Sequence, residues 1–380
     1  MSHIYIESRE FADDLVNDLA GATRIALDCE AAGFHRYSDR LCLIQLTVGP
    51  RTYILDPLGF DPSDILRRPL EDPAVEVLMH GADFDLRLLS RDLGIKLRGL
   101  SDTQIYAALT GEEGLGLQSL LESRLGVTLS KKYQRADWAQ RPLTESMLEY
   151  AAEDTRHLER LAGLLLEDLD RLGRRAWADE ECRALEAVAD DVLDDAEVDP
   201  VTRVKGARDR SPRQVTALRE ALSWRDEIAR EKDRAPFRVI GEPPLVDAVA
   251  RKPRRVEDLL EIRGFPKGLA RSDGKELLRR LHAVTELAEG ELVPYPKNDN
   301  RGPGRPPPEV EARFRRLKDI RNRVADELEL PRGTLLANAV LTEIARELPK
   351  TREELLAVEG MRQWKAEALG DRLLEEVARG

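Results

Sequence analysis

Two stretches 96 residues apart, PRRVEDLLEIRGF (253–265) and PKTREELLAVEGM (349–361), follow one template: a proline, a short polar run, then acid-Leu-Leu-x-hydrophobic-x-Gly-hydrophobic. A repeat this long points to two copies of a small domain rather than to a solenoid. Each copy is preceded by an amphipathic segment, VTALREALSWRDEIAREKD and RFRRLKDIRNRVADELEL, and strand signals vanish beyond residue 205. The repeat therefore predicts two all-helical modules, at 211–290 and 309–380. Between them ELVPYPKNDNRGPGRPPPEV is rich in Pro, Gly and charge, which predicts an extended linker over 291–308.

The first hundred residues obey different rules. HIYIES, RIALD, LCLIQLTV, TYILD and VEVLMH read as strands, while REFADDLVNDLAG and DFDLRLLSRDLG have helical spacing and close on a glycine suited to a cap. The first strands follow one another through short loops and later ones alternate with helices, so the expected class is α/β with a mixed sheet. From about residue 100 to 195 the pattern reads as helical, and the acidic run ADDVLDDAEVDPVTRVKG ends this region in a linker, 196–210.

Within this half, three sets of acidic residues fall at the ends of elements or on one helix face. Asp28 and Glu30 are two apart at the end of a strand and so share a face, with Cys29 on the other. They suit either a divalent cation or a solvated strand end. Asp83 and Asp85 lie in the first turn of a helix, where either favours the helix dipole. Tyr150 and Asp154 are four apart on a helix with Thr144 as N-cap, and so share one face.

The net charge of −12 hides an asymmetry: residues 1–200 carry 40 acidic and 22 basic residues, and 201–380 carry 32 and 38. The first half would repel a polyanion and the second attract one. Three cysteines, Cys29, Cys42 and Cys182, with no C-x-x-C spacing argue against a disulfide framework or a zinc site. No segment is apolar for long enough to span a bilayer, and the N-terminal MSHIYIESREF lacks a signal-peptide layout, so a soluble cytoplasmic protein is expected.

A strand-borne D-x-E, then H-x-x-x-x-D at a strand-to-helix turn, then Y-x-x-x-D on a helix resembles the DEDD exonuclease superfamily in its tyrosine-bearing branch. With LCLIQLT, HGADFDLRLL, SDTQIYAA and QRADWAQRPLTESMLEYAAEDTRHL, roughly the first 170 residues resemble ribonuclease D, and the two modules resemble HRDC domains. The resemblance implies a ribonuclease H-like mixed sheet with flanking helices over 1–195, followed by two small all-α HRDC-like domains. It implies a metal-dependent 3′→5′ exoribonuclease that trims tRNA precursors or other structured RNA 3′ ends. The alternatives are a DNA exonuclease and a non-catalytic RNA-binding scaffold. Two Mg²⁺ or Mn²⁺ ions would be held by Asp28, Glu30, Asp85 and Asp154, with Tyr150 positioning water. Asp85 is preferred to Asp83 because it stands five residues after His80, as in the family; His80 and Asp102 are expected to be structural. Glu149 stands where the histidine-bearing branch has its His, which excludes that branch. Many relatives place an aromatic directly after the Glu, whereas here Ala31 and Ala32 follow it, leaving Phe34 to take that part. Candidate phosphate contacts are Lys131, Lys132 and Arg135, then Arg251, Lys252, Arg254 and Arg255, then Arg313, Arg315, Arg316, Lys318, Arg321 and Arg323. No protein partner is expected, and removing 205–380 is expected mainly to weaken binding of structured RNA.

Overall fold

The computed structural model describes residues 3–190, 199–296 and 307–379. The expected strands form as β1 (His3–Ile6), β2 (Arg24–Ala31), β3 (Leu41–Val48), β4 (Arg51–Leu55) and β5 (Glu76–Met79). A sixth, β6 (Leu100–Asp102), lies in the stretch read as helical; three residues are too few to show a period, and pairing with β5 sets it. The sheet order is β1-β4-β3-β2-β5-β6, with β2–β3 and β3–β4 antiparallel and the other pairs parallel.

Helices α1 (Asp13–Ala20), α2 (Ser63–Glu71), α3 (Asp83–Leu93), α4 (Thr103–Thr110), α5 (Leu117–Leu125), α6 (Glu145–Arg156), α7 (Leu158–Leu172) and α8 (Arg175–Asp190) complete this region. Of the two expected glycine caps, Gly94 ends α3 in the left-handed conformation (φ 62°), whereas Gly21 follows α1 at φ −116°. β3 is buried along nearly its whole length because both its faces are covered. Ile44, Leu46 and Val48 join a core with Leu15 of α1 and Leu66 of α2, while Leu43 packs with Leu148 and Ala151 of α6. On β2, Ile25, Leu27 and Cys29 enter the first of these cores, so strand alternation aims Asp28 and Glu30 at the α6 face.

The repeat is a repeat of structure. Helices α9 (Pro212–Glu231), α10 (Pro236–Val239), α11 (Glu242–Arg251), α12 (Val256–Leu260), α13 (Lys267–Ser272) and α14 (Gly274–Glu286) form the first module. The second has α15 (Pro308–Glu327), α16 (Arg332–Leu335), α17 (Asn338–Glu347), α18 (Arg352–Ala357), α19 (Gln363–Lys365) and α20 (Asp371–Ala378). Gly264 and Gly360, 96 residues apart, share φ +84°. Arg225 and its equivalent Arg321 reach the carbonyls of the equivalent residues Ile240 and Leu336. The expected linker residues from 199 onward belong to the first module: Val201, Val204 and Ala207 are in its core. Leu292 is also buried, and Val293 exchanges hydrogen bonds with Thr216, so the second linker begins later than expected; 297–306 lie outside the described residues.

The modules meet the α/β region in opposite ways. The second shares its hydrophobic core: Ala178 and Cys182 of α8 pack in one cluster with Leu317, Ile344 and Trp364. Trp177 and Trp364 stack with centroids 4.7 Å apart, and the Glu180 carboxylate accepts the Gln363 and Trp364 N–H groups. A Cβ on Gly111 would lie 2.6 Å from the Glu329 carbonyl oxygen, so only glycine allows this approach. The first module is latched by polar groups on loop 32–40: Tyr37 donates to Asp226 at 2.9 Å, and Arg36 pairs with Asp233 at 3.4 Å. Removing 205–380 would therefore strip apolar cover from the core of residues 3–190, a cost in stability beside the weakened RNA binding expected from the sequence.

Candidate active site

Oxygens of Asp28, Glu30 and Asp154 lie within 4.8 Å of one another. β2 delivers the first two, and α6 delivers the third across the sheet face. α6 is fixed at its start by the Thr144 side chain, which accepts the Met147 N–H, and beside Asp154 by Thr155, hydrogen-bonded to Thr47 of β3 at 2.8 Å. Asp85, in the first turn of α3, is buried and lies outside this trio, though close enough for its charge to act on Asp28. Its helix is oriented by Asp102, whose carboxylate accepts N–H groups from Gly81 and Ala82 ahead of α3 and from Gln104 and Ile105 of α4. Asp102 is thus the cap the sequence predicts and also a brace for Asp85. His80, at the end of β5, hydrogen-bonds the Thr103 hydroxyl at 2.8 Å.

Crowding the acids against burial makes their charges costly. Burial, then the Asp85 charge, raises Asp28 well above the carboxylate range. Burial, then Asp28 and Asp154, does the same to Glu30. Burial, then Asp28, pushes Asp154 up to about 8, and burial, then Asp102, takes Asp85 to about 7. Buried like charges of this kind are relieved by a cation, and carboxylate oxygens suit Mg²⁺ or Mn²⁺. Gln45, paired with Asp28 across β2–β3, is completely buried, and its amide has no hydrogen-bond partner among the described residues. Sequence reading passed over Gln45; a polar residue inside LCLIQLTV was the available signal.

Tyr150 sits between Tyr133 and Trp138, at centroid distances of 5.8 and 6.1 Å. Burial first, then the charges of Asp154, Glu30 and Asp28, raises its hydroxyl pKa, so it stays protonated. It lines a pocket of about 280 Å³ with Asp154, Ser130, Lys132 and Tyr133. Ala32 is buried beside Trp138 and Leu148, which leaves no wedge directly after Glu30; Phe34 is the exposed aromatic of this loop.

A sequence model of 3′–5′ exonuclease domains matches residues 3–170, and one of the HRDC domain matches 214–281 and 310–377. Ribonuclease D of Pseudomonas paraeruginosa is 30% identical over 355 residues, 92% of this chain and 91% of that protein. The Escherichia coli protein of that name is 32% identical over 289 residues, 75% and 76% of the two chains. The chain belongs to the ribonuclease D family. The crystal structure of Escherichia coli RNase D, an exoribonuclease involved in structured RNA processing, covers 100% of this chain and 99% of its own at TM-score 0.72 and 26% identity. The catalytic core of RRP6 from Trypanosoma brucei covers 75% and 80% at TM-score 0.63 and 26% identity. This member of the family is a 3′→5′ exoribonuclease with one exonuclease domain and two HRDC domains. Among the described residues no helix is long and apolar enough to cross a membrane.

The basic candidates divide sharply. Lys131, Lys132 and Arg135 are exposed on the segment beside Tyr150, as are Arg251, Lys252, Arg254 and Arg255 on the first HRDC domain. Arg255 pairs with Asp258, Arg315 with Glu311 and Arg316 with Glu376, while Arg313 donates to the Ala345 carbonyl. Arg321 is buried and donates to the Arg332 and Leu336 carbonyls and to Asn338, so it braces the fold and is withdrawn from any polyanion.

Sequence reading also missed Arg141, which holds the loop before α6 by donating to both oxygens of Asp56 at 2.5 and 2.6 Å and to the Cys42 carbonyl at 3.0 Å. Burial raises the Asp56 carboxyl, but hydrogen bonds from Arg141 and Tyr5 outweigh it and leave it below the usual range. A carboxyl depressed in the folded state stabilises above its unfolded pKa, about 3.9, and loses that contribution as pH falls through its folded value. Arg141→Met should cost about 3–5 kcal/mol at pH 7 by leaving a buried charge without its cation. Urea denaturation should show the gap from wild type narrowing as pH is lowered towards 4 and below; a gap independent of pH would refute the pairing.

Proposed function

We propose that this protein shortens RNA from the 3′ end at the cluster of Asp28, Glu30, Asp85 and Asp154, releasing nucleoside 5′-monophosphates, with tRNA precursors and other structured RNA 3′ ends as substrates. The observation that supports this most directly is the convergence of Asp28, Glu30 and Asp154 oxygens within 4.8 Å, beside a protonated tyrosine. The four carboxylates would hold two divalent cations, Mg²⁺ or Mn²⁺. When bound, such ions neutralise charge on the scissile phosphate and acidify the attacking water.

The chain's own residues account for the rest. Tyr150, protonated throughout the neutral range, is a hydrogen-bond donor or acceptor for the water that attacks phosphorus and a poor base for it. A P–O bond to water forms, the P–O3′ bond breaks, and the departing 3′ oxygen takes up a proton. Lys131, Lys132 and Arg135, exposed on the segment beside Tyr150, would contact the phosphates of an entering strand, and Arg254, Arg255, Arg315 and Arg316 would add long-range attraction on the HRDC domains. Their joint contribution should weaken with salt.

The test is side-by-side digestion of matched 3′-tailed RNA and DNA with Mg²⁺ and with EDTA. RNA should shorten from its 3′ end to 5′-monophosphates, and EDTA should stop the reaction. Preferred degradation of DNA, or RNA hydrolysis unaffected by EDTA, would overturn this reading.

A further inference from the structure

Phe34 and Phe237 are large apolar side chains left open to solvent, at 40% and 53% exposure. They come from different domains, the loop after β2 and helix α10 of the first HRDC domain, yet their ring centroids lie 5.6 Å apart. The Arg238 guanidinium is 4.6 Å from the Phe34 centroid and 5.9 Å from that of Phe237, and the Arg135 guanidinium is 5.6 Å from Phe34. The backbones around this cluster are tied together: Arg238 donates to the Phe34 carbonyl at 2.7 Å, and Ala235 N–H to the His35 carbonyl at 3.1 Å. The His35 ring donates to the Arg135 carbonyl at 2.8 Å.

Three segments are thus fastened beneath rings that remain open. The charges are also left unneutralised. At the same junction Arg36 pairs with Asp137 and Asp233, and Arg230 with Asp226. Among the described residues Arg135 and Arg238 have no carboxylate within ion-pair distance. Open aromatic faces beside uncompensated guanidinium groups recognise stacked nucleobases and the phosphates that join them. Position supplies the direction of the strand. The segment from Leu129 to Tyr133 lines the pocket of Tyr150 and Asp154, and two residues on Arg135 reaches Phe34.

We propose that Phe34, Phe237, Arg135 and Arg238 form an interdomain stacking platform for unpaired bases of the RNA strand whose 3′ end occupies the acid pocket. The proposal rests on the hydrolytic reading of that pocket. It gives the first HRDC domain a substrate-holding role that its repeat cannot share, because the equivalents of Phe237 and Arg238 in the second domain are Gly333 and Thr334.

The experiment uses the full chain with two RNA probes: a hairpin with an unpaired 3′ tail carrying 2-aminopurine, and a dinucleotide too short to span both places. With Asp28→Asn as the binding background, Phe237→Ala should weaken affinity for the tailed hairpin roughly tenfold and remove the quenching of 2-aminopurine, while Phe237→Trp restores both. In the active background Phe237→Ala should leave dinucleotide hydrolysis unchanged. Unaltered affinity and quenching in Phe237→Ala, or equal weakening for a blunt hairpin, would overturn the platform. Failure of the wild-type protein to hydrolyse either probe would instead overturn the hydrolytic reading.

Discussion

Asp28→Asn is expected to lower Mg²⁺-dependent RNA hydrolysis by at least about 10³-fold, about 4 kcal/mol of barrier, while leaving the fold intact. Asp28 is the member of the cluster whose charge enters the electrostatics of Glu30, Asp154 and Tyr150 alike. Stability should move the other way. A carboxyl raised in the folded state withdraws stability as pH climbs above its unfolded pKa, so a neutral amide at this position relieves the metal-free protein at pH 7. The expected signature is a metal-free Tm equal to or above that of wild type, with loss of the rise in Tm that Mg²⁺ gives the wild-type protein. Full activity in a well-folded Asp28→Asn protein would remove Asp28 from the chemistry.

The second large effect is structural. Trp364→Ala should cost about 3–5 kcal/mol, a fall in Tm on the order of 10 °C, although residue 364 is more than two hundred positions beyond the acids. The indole is buried, stacks on Trp177, and donates to Glu181 at 2.8 Å, so its loss opens a cavity and takes one hydrogen bond from a carboxylate that Lys365 and Arg362 still contact. Because the second HRDC domain shares one core with the catalytic domain, the two should melt in a single transition that shifts as a whole. Separate transitions, with only the HRDC one displaced, would contradict the shared core. Tyr37→Phe, at the polar latch of the first domain, should change Tm little by comparison.

Particular residues show why some of this was legible in the sequence. LCLIQLTV announces a strand because a central strand is apolar on both faces. The helical modules were legible from the residues both copies keep, such as Gly264 and Gly360. What sequence could not show is where the copies differ in use. Trp364 anchors the second domain, yet its repeat equivalent is Gly268; Phe237 faces solvent beside Phe34, yet its equivalent is Gly333. Both aromatics look like ordinary helix residues until tertiary structure supplies a neighbour from elsewhere in the chain. β6 stayed hidden for the same reason: Leu100–Asp102 becomes a strand through its pairing with β5. In the site, the D-x-E and Y-x-x-x-D spacings made Asp28, Glu30, Tyr150 and Asp154 readable as candidates. Gln45 and Arg141 gave little local sign, because a buried amide without a partner and a bidentate pair 85 residues apart are facts of packing.

The shared core also sets a timetable for synthesis. All four acids have been made once the chain reaches residue 154, but α8, which packs on the helix bearing Asp85, lacks its partner α19 until residues 363–365 are made. At about 5–20 residues per second, the ribosome needs roughly 10–45 s to cover that interval. Over that interval the face of α8 that Trp364 covers stays open, so the newly made domain carries an uncovered patch of its own core.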